Sequence, residues 1–587
     1  MTWYTRTGIL RRRSRGFALA VAIAGCSLVP APFASANGAG ASIASTPTTK
    51  TATSLSTSAV DKALTWDPSN YSVITVTIDG VEQKVRWYKE VCYVANPVEA
   101  APTQYNNITG TITISDTRCG YESMNVFVPQ SAWRNPDAAI YMAVHNEGWF
   151  MSYISASVTD GESFDSSTDN VGAALKHGYV FIDLASRDSD FISADGTDRG
   201  KSPEVVVDAK AAVRYLRLND SRMPGSAERI IINGGSGGGG LASILGSSGN
   251  SADYYPYLAD IGAAGITRRG GRYISTLDDD VFAVNAYCPI TDLGNADVIY
   301  EWLYTSLNTR ADVGQDSFPE DSKELAAEFA AYEKSLGLTN PDGTRLTAKN
   351  MMATLRSEII RSANHYLASD PANTIPAYGE NFVITGVGGA TKSYTNNWIW
   401  VNQRTRRVTN VDMKKYLDFV ATQQQLKSTP SFDIYGVNGQ TGHESIIFGT
   451  GSQEYSNFTE FSWEHNSVAG DGTGYDDTGL HWKQFIKTAA GKNIVKQVNM
   501  INPMKYISTA ADTAPYWYVR AGTRDRDTAF TVSLNLARAL QSDKSVKDVN
   551  YRLAWNQPHA GNYDVPEAMA WIARVLKHAG SPTRHAG

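Results

Sequence analysis

Only four of the 587 residues are cysteine, and no Cys and His residues fall at metal-ligand spacing, so neither a structural nor a catalytic metal is expected, and no cofactor. Charge is scarce as well. Charged residues make up 19% of the chain, the formal net charge is −6, and no basic stripe follows the N-terminus, so nucleic acid is not an expected partner. Beyond the N-terminus no apolar run is long enough to span a bilayer. The one dense glycine run has no Lys-Ser/Thr pair after it, which argues against a P-loop. What is present is 42% hydrophobic content over a length that suits a large core and a second lobe.

Arg6, Arg11, Arg12, Arg13 and Arg15 precede the apolar run from Phe17 to Gly25, the pattern of an export signal over residues 1–36. Two processing sites compete. Ala34-Ser35-Ala36 suits cleavage and release, the preferred reading, whereas Ile23-Ala24-Gly25-Cys26 resembles a lipobox that would anchor the chain at the surface through Cys26. Residues 37–62, mostly Ala, Ser, Thr and Gly, cannot bury a core and read as a tether. Export fits a disulfide between Cys92 and Cys119, which flank a short strand-rich segment. Cys288, inside an apolar run, reads as a buried thiol.

The most informative stretch is Ile230-Ile231-Ile232-Asn233-Gly234-Gly235-Ser236-Gly237-Gly238, an apolar strand running into Gly-x-Ser-x-Gly and then a helix start of small residues. It reads as a nucleophile elbow, with Ser236 exposed above a sheet and the amide of Gly237 facing an oxyanion. The same glycines satisfy a dinucleotide fingerprint over Gly235, Gly237 and Gly240. That rival lacks an early position in the chain, a repeated strand-helix-strand unit and a ribose-binding acid.

Apolar segments at Ala139–Val144, Tyr179–Leu184, Arg229–Ile232, Val281–Tyr287, Trp517–Ala521 and Val549–Trp555 suit strands buried on both faces. Helical periodicity over Glu204–Leu218, Thr531–Leu540 and Pro566–His578 alternates with them, which implies a doubly wound, mostly parallel sheet. Between 291 and 500 the alternation gives way to consecutive helical stretches such as Ser322–Leu336 and Asn350–Ala368. The expected organisation is an α/β-hydrolase core at 63–290 and 501–587, with a large, mainly helical cap domain inserted at 291–500 over the carboxyl ends of the strands.

A serine hydroxyl needs a base to take its proton and an acid to orient that base. In α/β-hydrolases the order is serine, acid, histidine, which leaves His559, His578 and His585 of the nine histidines. Only His559 lies on a loop at a strand's carboxyl end. Asp525, ending the preceding strand, is the acid. The second oxyanion amide is assigned to the loop after Tyr141–Val144, at Glu147 or Gly148, with Gly148 preferred; His145 there reads as a structural hydrogen-bonding residue.

Around these residues the chain resembles bacterial tannases, tannin acyl hydrolases of the larger secreted type, over most of its length. The resemblance rests on Gly200-Lys-Ser-Pro203 leading into Asp208–Leu216, on the elbow, on Tyr287-Cys-Pro-Ile-Thr-Asp-Leu293, on Gly522-Thr-Arg-Asp-Arg-Asp-Thr528 and on His559-Ala-Gly-Asn-Tyr-Asp564. It implies a serine carboxylesterase acting on galloyl esters, small polyphenol substrates, through an acyl-enzyme. It further implies that Asp527, Lys427 and Glu444 hold the phenolic hydroxyls, with Lys414, Lys415 and Glu454 as substitutes for the cap pair, whose spacing is longer here than in the family pattern. The rival readings are a feruloyl or other aryl esterase on the same scaffold, a peptidase, and a non-catalytic hydrolase-fold binding module.

Overall fold

The computed structural model describes residues 58–106, 110–385, 391–468, 478–559 and 561–580. The export signal, Cys26, the tether up to residue 57 and His585 lie outside these residues.

A sheet of ten strands runs through the core in the spatial order Asp548–Ala554, Tyr516–Gly522, Ala283–Tyr287, Ile230–Gly235, Ile140–Val144, Val180–Leu184, Ser123–Pro129, Val81–Cys92, Ser72–Ile78 and Ser163–Phe164. Neighbours are parallel from the first of these to Val180–Leu184; the next three pairings are antiparallel. The parallel strands coincide with the apolar runs of the sequence to within a few residues, and the reason is burial on both faces. Ile230 and Ile232 pack on one side against Val205, Val206, Leu241 and Ile244. Ile231, between them, faces the other side with Ala173, Leu175, Val565 and Ile572. Helices Glu204–Asn219, Gly237–Ser247 and Phe530–Ser542 therefore cover one face, and Asn170–Lys176 and Val565–Ala579 the other. The fold is the mixed α/β architecture expected of an α/β-hydrolase.

The antiparallel strands were not assigned from the sequence. Ser72–Ile78 begins with two exposed residues and then alternates buried with half-buried positions, the latter threonines, so it has no continuous apolar run. A second departure concerns the helix Glu204–Asn219. Its periodicity suggests one apolar face, yet Asp208, Lys210 and Arg214 are also fully buried. They are tolerated because each finds an opposite charge: Arg187 Nη2 lies 2.6 Å from Asp208, Lys210 Nζ 2.7 Å from Asp279, and Arg214 Nη1 3.0 Å from the same carboxylate.

Between the strands Ala283–Tyr287 and Tyr516–Gly522, no described residue joins the central sheet. This stretch holds helices including Leu293–Thr305, Pro319–Leu336, Ala348–Ser369 and Met413–Gln423. It also carries two hairpins, Asn381–Thr385 with Thr391–Thr395 and Ile399–Asn402 with Arg407–Val411. It returns to the core repeatedly: the Tyr416 hydroxyl donates to the Thr523 carbonyl, and Lys201 Nζ donates to Ile446 O at 2.6 Å and Glu454 O at 3.0 Å. Among the described residues no helix is long and apolar enough to cross a membrane.

Cys92, the last residue of Val81–Cys92, is disulfide-bonded to Cys119, with Cα atoms 6.0 Å apart and a sequence separation of 27. Closing a loop of that length in the unfolded chain stabilises the fold by about 3 to 4 kcal/mol in the chain-entropy account. Replacing both cysteines by serine is expected to lower the denaturant midpoint by a corresponding amount without changing the far-ultraviolet dichroism. An unchanged midpoint would mean the bridge does not constrain the chain.

Candidate active site

The strand Ile230–Gly235 ends at Ser236, whose backbone sits at φ 56°, ψ −123°. That conformation costs a non-glycine residue about 1–3 kcal/mol and persists only where its surroundings enforce it. Here the Ser236 amide donates to Tyr287 O at 2.9 Å, and Ser236 O accepts from Ile290 N at 3.1 Å and Gly240 N at 3.0 Å. The adjoining glycines make the turn sterically possible. A Cβ on Gly234 would lie 2.2 Å from Gly238 O, and one on Gly237 would lie 2.4 Å from both Asn146 O and Trp149 N. The helix Gly237–Ser247 starts immediately after, so its first amides and dipole face the same spot.

Ser236 Oγ lies 2.8 Å from His559 Nε2, and His559 Nδ1 lies 2.9 Å from Asp525 Oδ2. Asp525 is fully buried and its other oxygen accepts from the amides of Asp527 at 2.9 Å and Thr528 at 3.1 Å. The carboxylate is thus fixed by its own loop and presents one oxygen to the imidazole. Burial works against a charged His559, but the neighbouring Asp525 carboxylate outweighs it and holds the group well above its ordinary value of 6.5. An imidazole between a serine hydroxyl and a fixed carboxylate can take the serine proton and hand it on.

Gly148, at φ 72°, lies in the turn Glu147–Trp149. A Cβ built on Gly237 would approach Gly148 N to 3.1 Å, so the two glycines assigned to the oxyanion amides adjoin one another. His145, on the strand end before this turn, is paired through Nε2 with the buried Asp183 at 3.1 Å.

Of the residues assigned to the ring, Lys427 Nζ is 3.3 Å from Glu444 Oε1 and 3.9 Å from the Phe432 ring centroid. Asp527 lies beside Arg526, Oδ1 to Nη1 3.1 Å. One hydroxyl joins the two groups. Tyr300 Oη donates to Arg526 O at 2.6 Å and accepts from Lys427 N at 3.0 Å, which brings the segment of Lys427 against the loop of Asp525 and Asp527. The substitutes stand apart from this arrangement: Lys414 pairs with Asp312 and Asp418, Lys415 lies near Tyr378, and Glu454 accepts from Tyr435. Glu444 is carried by a 3-10 turn whose preceding residue, His443, docks on the core, Nε2 3.0 Å from Ser189 Oγ and its ring tilted against Phe150; burial lowers its pKa to about 4.

Two contacts around the site are not evident in the sequence. Cys288 is buried at φ 43°, its thiol in contact with the Tyr563 hydroxyl, and its sulfur lies with the Asp525 and His559 ligand atoms within 4.8 Å. Burial raises its pKa, which keeps it a neutral thiol rather than a nucleophile. Tyr300 carries no motif, since a tyrosine on an apolar helix face looks like core. The sequence carries no signal for it, because the carbonyl that its buried hydroxyl satisfies lies 226 residues away.

A family model described as BD-FAE matches residues 124–298, which contain the elbow. No curated protein matches the chain. Among solved structures, the Fusobacterium nucleatum tannase is 28% identical, with a TM-score of 0.66, covering 87% of this chain and 99% of that one. A tannase from Lactobacillus plantarum is 25% identical, with a TM-score of 0.65, covering 87% of this chain and 100% of that one. A tannin acyl hydrolase in complex with ethyl gallate is 26% identical, with a TM-score of 0.66, covering 88% of this chain and 100% of that one. By fold and by these relatives the chain is an α/β-hydrolase of the ester-hydrolase kind, and it resembles the bacterial tannases over most of its length.

Proposed function

We propose that the protein is a serine carboxylesterase that cleaves galloyl esters, with Ser236 as nucleophile, His559 as base and Asp525 as the acid that orients it. The observation that carries this reading is the Tyr300 bridge, which sets the Lys427–Glu444 pair against the loop bearing both Asp525 and Asp527. A trihydroxyphenyl ring carries three adjacent hydroxyls, and two carboxylates with one ammonium can pair with them, whereas a ring without hydroxyls leaves those groups unpaired. In this scheme residues 291–500 act as the cap that supplies Lys427 and Glu444. Ser236 Oγ attacks the ester carbonyl as its proton passes to His559 Nε2, and the amides of Gly237 and Gly148 face the developing oxyanion. The carbon–oxygen bond to the alcohol breaks, the alcohol leaves with the proton from His559, and water repeats the sequence on the acyl-enzyme. The binding of ethyl gallate and of 3,4-dihydroxybenzoate by structural relatives supports the acyl side of this proposal.

The direct test compares methyl gallate, methyl ferulate and a short p-nitrophenyl ester with the purified protein. Gallate is expected to be preferred, Ser236→Ala to be inactive on all three, and Asp527→Asn to lower kcat/KM for methyl gallate at least tenfold more than for methyl benzoate, the scale of one charged hydrogen bond. Equal loss on both esters would remove Asp527 from ring recognition. A ferulate preference would discard the galloyl pocket.

His559 must be uncharged to accept the serine proton, and Asp525 raises its pKa, so the charged, inactive form persists to higher pH than for an ordinary histidine. The acid limb of kcat/KM against pH is expected to have its midpoint above about 6.5. Asp525→Asn is expected to move that limb down while lowering the rate; a limb unmoved by this change would separate it from His559. Finally, Gly237→Ala would push a methyl into Asn146 O and Trp149 N and displace the turn bearing Gly148. The expected loss is about 10²-fold in kcat with the dichroism spectrum retained, and a near-normal kcat would disprove the oxyanion assignment.

A further inference from the structure

Where the insertion meets the segments leading to Asp525 and His559, it leaves a cavity of about 290 Å³, at the lower end of the range for small-ligand sites. Ser236, His559, Lys427, Glu444 and Asp527 do not line it. Its walls are rings: Phe382, Trp398, Tyr416 and Phe419 from the insertion, and Trp555, which follows the strand Asp548–Ala554. Trp398 lies 5.2 Å from Phe419 and 5.8 Å from Trp555, centroid to centroid. Val383, 64% exposed, and the exposed Thr374 form part of the lining, so the cavity reaches the surface there. Walls of this kind suit a flat apolar ring.

The remaining side is polar and comes from the core, as Thr523, Arg524 and Asn556. Arg524 is only 8% exposed, and its Nε donates to Asn556 O at 2.9 Å. Burial lowers its pKa, because a guanidinium is kept from water. A carboxylate beside it offsets that cost and accepts charge-assisted hydrogen bonds, which are stronger than those to a neutral carbonyl.

These polar residues also tie the two catalytic loops to each other. Asn556 N donates to Thr523 Oγ1 at 2.7 Å, Arg524 N donates to Gln557 O at 2.9 Å, and the Tyr416 hydroxyl holds the Thr523 carbonyl. Arg524 immediately precedes Asp525, and Asn556 stands three residues before His559.

We propose that this cavity is a second ligand site, separate from the ester site, and that it takes a single-ring aromatic carboxylate. The ring lies among Trp398, Phe419 and Trp555, and the carboxylate meets Arg524. Its occupant slows turnover by drawing the guanidinium away from Asn556 O, which loosens the segment that carries His559. The site does not depend on the galloyl reading.

Benzoate is the probe, because a ring without hydroxyls leaves Lys427, Glu444 and Asp527 unpaired at the ester site. Calorimetric titration of the purified protein is expected to show one site with a Kd of about 1 mM, the scale for a single-ring ligand. Benzamide, of the same shape without the charge, is expected to bind at least about tenfold more weakly. Arg524→Met and Val383→Trp are each expected to weaken benzoate by a similar factor, the second by filling the mouth from an exposed position that leaves the buried packing intact. With a p-nitrophenyl ester, saturating benzoate is expected to lower kcat about two- to fivefold, the scale of one weakened hydrogen bond, with KM unchanged, and to lose this effect in Val383→Trp. Equal benzoate affinity in the wild type and both variants, inhibition that only raises KM, or occupancy that leaves kcat unchanged would overturn the proposal. If the p-nitrophenyl ester is not cleaved, the serine esterase reading fails by itself, and the calorimetry still decides the site.

Discussion

The left-handed backbone at Ser236 is the constraint on which the rest depends. A serine held at φ 56° between a strand and a helix is pushed clear of the sheet, but only if the chain on both sides can come within van der Waals reach. Gly234 and Gly237 provide that reach, and the hydrogen bonds to Tyr287 and Ile290 lock it. The same crowding brings Gly237 against the turn at Gly148, so the proposed oxyanion amides and the proposed nucleophile are consequences of one backbone feature. Removing the small residues would take the geometry apart at several points together.

Much of this was legible in the sequence because it lies in local patterns. The parallel strands read as apolar runs since both of their faces are buried, and Ser236, Asp525 and His559 stand at strand ends in the order that an α/β-hydrolase requires. Lys427 and Glu444 came from family resemblance, and nothing in their own neighbourhoods would have singled them out. What could not be read depends on contacts between distant segments. The Tyr300 hydroxyl, the thiol of Cys288 and the charge pairs of Asp208, Lys210 and Arg214 all look like ordinary helix or strand residues until their partners are brought to them. The antiparallel strand Ser72–Ile78 has one wet face, which broke the apolar signal used to find the others.

Electrostatics divides the molecule into two kinds of buried charge. In the core, Arg187 stands among Asp208, Glu204 and Glu122, one guanidinium among three carboxyl groups, and burial pushes Glu122 up to about 8, so that it is held as a neutral acid. At the active site, Asp525 has one oxygen committed to its own loop and the other to His559, whose second nitrogen faces the serine. The first arrangement fixes a helix against the sheet; the second leaves a single unit of charge to develop on the imidazole.

The amide of Asp527 is one of the two that hold Asp525, two residues away. In the proposed scheme ring recognition and base orientation are therefore built on one tight loop rather than on separable modules. For protein engineering this sets a direction of approach. On the proposed reading, altering acyl preference by rebuilding the 525–528 loop would disturb the base at the same time, whereas Lys427 and Glu444, which lie outside that loop and meet it through the Tyr300 hydroxyl, offer a place where specificity can be retuned with the chemistry left standing.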